Sequence, residues 1–316
     1  MSESIEKKPL SKALGSFAEL REYAKSLGKT RRVAVAVADD EVALSAAAGA
    51  LEQGIAIPVL VGNEDRIRSK AKALKLEELL DKGEIVAASD DEAAEKAVKL
   101  VREGHADVLL KGHLRTDQII KAALNKEWGL RTGKLLNDVL LFENALTGEN
   151  RLVAMTDGGL NLAPNLDQKK QMILNTIEVL HSLGFQRPKF SIMSASEIVS
   201  ENIQSTVDAQ ALTQMCAAGE FGDALVFGPL ALDCALVPAA AKAKGIKFEG
   251  AGYADCLIVA NIETGNMFGK ATKYLGGSQN AHVIVGAKAP ILIPSRVESA
   301  EDKINAIAMG VIYAAR

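Results

Sequence analysis

The sequence predicts an α/β protein built on a doubly wound, mostly parallel sheet. Short apolar runs recur along the chain, helical periodicity fills most of the gaps between them, and glycine, asparagine or aspartate often follows a run. Strands separated by helices need crossover connections, which is how parallel βαβ units are made.

Residues 32–38 (RVAVAVA) read as a buried strand, and Asp39-Asp40 as the cap of a small-residue helix carrying Ala43, Leu44, Ala47 and Leu51. Residues 57–61 form the next strand, ended by Gly62-Asn63. Runs at 86–88, 107–110, 152–156, 190–193, 224–227, 257–261 and 283–285 continue the series. The stretch 289–294 then runs into Ser295-Arg296, the layout of a buried strand delivering polar side chains to a sheet edge. In open α/β sheets, ligands sit outside the carboxyl ends of the strands.

At 316 residues the chain exceeds what one core usually serves, so two domains are expected. The polar run 142–151 is the best outward crossing and 286–290 a return crossing. The first domain would then be 1–141 completed by 282–316, the second 142–281, with a cleft between them.

Composition is that of an ordinary soluble domain, 48% hydrophobic and 24% charged. A net charge of −3 gives no nucleic-acid or membrane footprint, so an anionic ligand must be held by local cations and helix N-termini. Cys216, Cys234 and Cys256 are widely separated and read as inert buried thiols. The N-terminal residues lack the apolar core of a signal peptide, and no apolar run approaches a membrane span, so a cytoplasmic location is expected.

Four constellations at predicted strand ends could carry chemistry. Ser295-Arg296 with Asp302 offers a hydroxyl, a guanidinium suited to phosphate and a carboxylate. The same residues also read as a loop before a helix, with Ser299 as cap and Asp302 in the first turn. Lys111-Gly112, followed by His113, Arg115 and Thr116, places a glycine and cations before a helix start, which suits an anion. Arg131-Thr132 lies between Gly129 and Gly133, where the backbone could approach a ligand closely. Glu263, Gly265 and Asn266 follow an apolar strand and open another helix. Asp157-Gly158-Gly159 and residues 228–233 follow strands in the same way. The chain has no GxxxxGK[ST], no GxGxxG after the first strand and no GxSxG, and its four scattered histidines build no zinc set. No metal and no redox cofactor is expected.

Taken in order, KGHLRTD (111–117), GLRTG (129–133), TDGGLNLAPNLDQK (156–169), GPLALD (228–233), AGYADCLIVANIETGN (251–266), VGAKAPIL (285–292) and SR (295–296) resemble the phosphate acetyl/butyryltransferase family. The resemblance is nearer to the shorter butyryl-type members and covers most of the chain from about residue 32. It implies the two-domain α/β fold shared with isocitrate and isopropylmalate dehydrogenases, a homodimer, and coenzyme A as substrate with no tightly bound cofactor. It implies that Ser295 and Arg296 contact the acyl phosphate, that Arg131 helps hold an anionic substrate, and that Asp302 takes the thiol proton, with Glu298 as the alternative base. Gly159 stands where many family members carry alanine.

The implied reaction is acyl-CoA plus phosphate giving acyl phosphate plus coenzyme A, reversibly, for a short acyl group from acetyl to butyryl. Both substrates would be held together for direct thiolate attack, with much of the rate coming from orientation. Three other readings share the fold or the chemistry: a long-chain acyl phosphate transferase, a non-catalytic family member, and a metal- and NAD-dependent hydroxyacid dehydrogenase, for which no aspartate cluster is evident.

Overall fold

The computed structural model describes residues 10–27, 31–146, 151–295 and 298–316. Its strands are β1 (Arg32–Ala36), β2 (Ile57–Gly62), β3 (Glu84–Ala87), β4 (Val108–Lys111), β5 (Asn137–Asn144), β6 (Arg151–Thr156), β7 (Lys189–Met193), β8 (Leu225–Leu230), β9 (Cys256–Ile258), β10 (Asn280–Val285) and β11 (Ile291–Leu292). They form one sheet of 11 strands in the order β3-β2-β1-β4-β11-β10-β5-β6-β9-β7-β8. The expected α/β class is therefore observed, with helices on both faces.

β3, β2, β1, β4 and β11 pair in parallel, as do β6, β9, β7 and β8. Between these halves, β10 and β5 are each antiparallel to both neighbours. The halves consequently run in opposite directions across an antiparallel seam. β5 is a strand that the sequence reading passed over. It is buried at almost every position, so no in–out alternation marks it. The expected domain limits near 142 and 282 fall inside β5 and β10, which pair with each other. Residues 286–290 turn β10 back antiparallel to β11, with Ile284 opposite Ile291.

One face of the seam, carrying Val139, Leu141, Val283 and Val285, packs in the main core with Ile304, Ile307 and Met309 of the helix Ala300–Ala314. That helix is buried from residue 302 through 313. Its polar groups are satisfied accordingly: Asn305 accepts from Arg21 at 2.6 Å and donates to Gln279 at 3.1 Å. The opposite face carries Leu140, Phe142, Val153 and Met155. It is covered by the helix Ile262–Tyr274, whose Phe268 ring meets Phe142 edge-on at a centroid distance of 5.4 Å.

The ends of β1 and β4 meet tightly. Val37 takes a left-handed φ of 55°, uncommon for a β-branched residue, and its carbonyl accepts the His113 N–H at 2.8 Å. Gly112 fits because a Cβ there would lie 2.3 Å from the Val37 carbonyl oxygen. Among the described residues, no helix is long and apolar enough to cross a membrane.

Backbone cannot give way as a flexible side chain would, so Gly112→Ala should lower the unfolding free energy by about 1–3 kcal/mol. Chemical denaturation would check this, and an unchanged midpoint would contradict the close approach.

Candidate active site

A cleft of about 470 Å³ lies over the antiparallel seam. Its floor is the sheet face opposite the helix Ala300–Ala314. His282, Leu140 and Met155 stand there in one cross-strand row, with Ile284 and Asp138 paired in the next. The helix Ile262–Tyr274 overhangs it with Gly265, Gly269 and Lys273, and the ends of β4 and β11 bring Lys111 and Ser295. The sequence reading expected a site outside parallel strand ends. That describes only the bank holding Lys111 and Ser295, because the antiparallel seam exposes a sheet face instead.

Ser295 is exposed and lines the cleft, and its carbonyl accepts the Glu298 N–H at 3.2 Å. Arg296 lies outside the described residues. Glu298 is half-buried and also lines the cleft. Asp302 does not. It is 2% exposed and fully engaged: Oδ1 accepts the Asn280 N–H at 2.9 Å, while Oδ2 accepts the Ser299 hydroxyl at 2.6 Å and pairs with Lys273. Ser299 Oγ in turn accepts the Asp302 N–H, completing a capping box. Burial works against the Asp302 carboxylate, yet Lys273 and Ser299 outweigh it and hold the pKa below the ordinary value. The helix cap expected of this segment is observed, and both Asp302 oxygens are engaged.

The other expected site residues separate. Lys111 is buried on the cleft wall, its ammonium donating to the Gly112 and Leu114 carbonyls at 3.3 and 3.1 Å. Gly112 lines a smaller adjoining cavity of about 160 Å³ shared with Ser295 and Lys303. Its N–H is already bonded to the Ala36 carbonyl at 2.9 Å, so it offers no donor to an anion. Arg131 and Thr132 line a neighbouring groove of about 430 Å³ that shares only Leu160 with the cleft. The Thr132 hydroxyl is a turn-former, donating to Gly286 and accepting the Lys134 N–H at 3.1 Å. Gly265 and Asn266 line the cleft, whereas Glu263 is exposed on the first helical turn and does not. Gly265 lets the helix approach the loop after β6, since a Cβ would lie 2.5 Å from the Asp157 carbonyl oxygen.

Sequence reasoning missed Asp138, Lys273, Asn280 and His282, which line the cleft or brace it from strands and a helix without any motif. His282 Nδ1 lies 3.2 and 3.1 Å from the two Asp138 oxygens. Burial disfavours the imidazolium, but the Asp138 carboxylate prevails and raises the His282 pKa to about 9. The buried Asp157 carboxylate gathers the loop after β6, accepting N–H groups of Gly159 at 2.7 Å and Leu160 at 2.9 Å. Burial, then repulsion from Asp138, pushes its pKa up. Asn280 Oδ1 is buried and has no hydrogen-bond partner among the described residues. One cluster among the described residues, Glu197, Asp233 and Cys234, has metal-ligand spacing, but Lys244 pairs with both carboxylates.

Residues 17–96 and 82–311 match the family model described as phosphate acetyl/butaryl transferase. A phosphate butyryltransferase of Clostridium beijerinckii is 41% identical over 91% of this chain and 94% of its own. A phosphate acetyltransferase of Rhizobium meliloti is 35% identical over 88% of this chain and 87% of its own. Among solved structures, a branched-chain phosphotransacylase from Enterococcus faecalis superposes with a TM-score of 0.79 at 27% identity, covering 90% of this chain and 99% of that one.

Asp302 predicts an acid limb of stability. A carboxyl depressed in the folded state stabilises above its unfolded pKa, near 3.8, and that contribution is lost as pH falls through the lower folded value. Asp302→Asn should therefore lower stability at neutral pH by about 1–3 kcal/mol and flatten the acid limb, read by denaturant titration across pH. An acid limb as steep as that of the unsubstituted protein would rule out this role.

Proposed function

The chain belongs to the phosphate acetyl/butyryl transferase family and is an acyltransferase, and we propose on that premise that its cleft passes a short acyl group between coenzyme A and phosphate. The observation that carries the reading is the division of the cleft. An apolar floor of Leu140, Met155 and Ile284 faces a polar bank of Lys111, Ser295, Glu298 and Lys273. A short acyl chain suits the floor and a phosphate the cationic bank.

In the direction of acyl-CoA synthesis, the thiol loses its proton and its sulfur attacks the acyl carbonyl of the acyl phosphate. A free thiol of pKa about 8.5 is only slightly ionised at neutral pH, so a carboxylate base increases the reactive fraction. We assign that base to Glu298, which lines the cleft, rather than to the fully bonded Asp302. Ser295 donates a hydrogen bond to the phosphoryl group, and Arg296 neutralises phosphate as it leaves. Asn280 Oδ1 offers an acceptor to an amide N–H of the pantetheine arm. Coenzyme A acts as a substrate, not a bound cofactor. A homodimer and a cytoplasmic location complete the proposal. Exposed Met267, Tyr274 and Leu275 on or beside one helix offer a surface for the former.

The test is thiol release from acetyl-, propionyl- and butyryl-CoA with and without phosphate. Release should require phosphate, and Arg296→Ala should cut kcat by about 10²–10³-fold. Phosphate-independent release, or none with any of the three, would reject the reading. One methylene is worth roughly 10–200-fold in kcat/KM, so the same assay ranks chain length.

A further inference from the structure

Asp138, Gly159 and His282 form a unit that the cap, the loops and the expected catalytic residues leave unexplained. His282 and Asp138 come from adjacent strands on one sheet face, one step out of register: His282 is opposite Leu140, and Asp138 is opposite Ile284. The ring leans diagonally so that Nδ1 meets both carboxylate oxygens. Nε2 makes no hydrogen bond among the described residues, although His282 lines the cleft. Asp138 is fixed in turn, its own N–H donating to Asp157 Oδ2 at 3.1 Å. A Cβ on Gly159 would lie 2.8 Å from Asp138 Oδ2 and 3.2 Å from its Cγ. The absence of a Cβ at Gly159 thus leaves room for this carboxylate.

The placement of His282 also has chemical meaning. It ends the apolar row that runs through Leu140 to Met155, and it shares the cleft with Ser295 and Glu298. A substrate with its acyl chain on that row has its carbonyl at the boundary, beside the imidazole. We propose that His282 donates its Nε2–H to the acyl carbonyl oxygen as negative charge develops there, and that Asp138 and Gly159 are positioning residues that hold the ring for this task. The inference rests on the acyl-transfer reading and assigns to that site the donor that reading lacks.

The step balances. A phosphate oxygen attacks the thioester carbon and a C–O bond forms. The carbonyl π pair moves to oxygen, where the imidazolium holds it. The pair then returns, the C–S bond breaks and the thiolate leaves with its electrons, its sulfur receiving the proton that the phosphate brought. No redox partner is required.

Charged groups face His282 from several sides: Asp138 on β5, Glu298 before the last helix, and Asp302 on that helix, itself paired with Lys273. Removing the Asp138 charge leaves burial, which disfavours the imidazolium, less opposed, so the His282 pKa should fall well below about 9.

The experiment measures phosphate-dependent thiol release from butyryl-CoA across pH, each variant divided by the unsubstituted enzyme so that substrate ionisation cancels. His282→Gln should lower kcat by about 10²–10³-fold with little change in the KM for phosphate. Asp138→Asn should lose relative activity as pH rises, at lower pH than the unsubstituted enzyme, as the ring gives up its proton. Gly159→Ala, which displaces the carboxylate without removing it, should show the same alkaline loss in weaker form. A His282→Gln enzyme within about threefold of the unsubstituted kcat would overturn the proposal. So would an Asp138→Asn profile that superimposes on the unsubstituted one. If His282→Gln does not fold, the Asp138→Asn and Gly159→Ala profiles decide. An unsubstituted enzyme that releases no thiol removes the acyl-transfer reading, and the donor role with it. A normal enzyme with an indifferent His282 removes only the donor.

Discussion

A single buried carboxylate fastens the structure around the cleft. Asp302 caps the last helix through Ser299, receives the first N–H of β10 at Asn280, and pairs with Lys273 of the overhanging helix. Three elements are thereby tied at one point: the buried helix under the sheet, the seam strand that carries His282, and the helix that covers the floor. A charge removed from water is costly unless its partners replace the water, and here both oxygens are occupied. The geometry of the cleft therefore depends on a group that is not part of its lining.

The cleft works by local charge in a protein whose overall charge is close to balance. Lys111 and His282 are partly or fully withdrawn from solvent, and each is held by named acceptors, two carbonyls in one case and a carboxylate in the other. Withdrawal from water strengthens the action of a fixed charge on a bound anion, and prior fixation leaves little reorganisation at the moment of reaction. The apolar floor next to them gives the acyl chain a direction. Orientation and electrostatics are thus supplied by the same few strands.

Much of the fold was legible in the sequence, because β1, β2, β4, β6 and β7 are apolar runs bounded by turn residues and helices. β5 was not, since a strand buried on both faces carries no alternation to read. The site divided along the same line. Ser295, Lys111, Gly265 and Asn266 could be found because they follow strands in recognisable loops, and all four reach the cleft. His282 and Asp138 sit inside strands, where a polar residue in an apolar run gives no hint of its neighbour, and their meeting depends on a register that only the folded sheet supplies. Asp302 shows the opposite case: the motif was visible, and so was the cap grammar of Ser299, but the tertiary partners Lys273 and Asn280 were not.

The order of strands also has a consequence for how the protein comes into being. β11, the last strand among the described residues, lies between β4 and β10 in the middle of the sheet. While the chain is still emerging from the ribosome, the early strands β1 to β4 can pair among themselves, but β4 keeps an open hydrogen-bonding edge until β11 arrives. Exposed edges of that kind invite pairing with other chains. Nascent copies of this protein are accordingly open to mispairing at that edge until β11 has been made, and the cleft, which borrows the end of β11, cannot form before then.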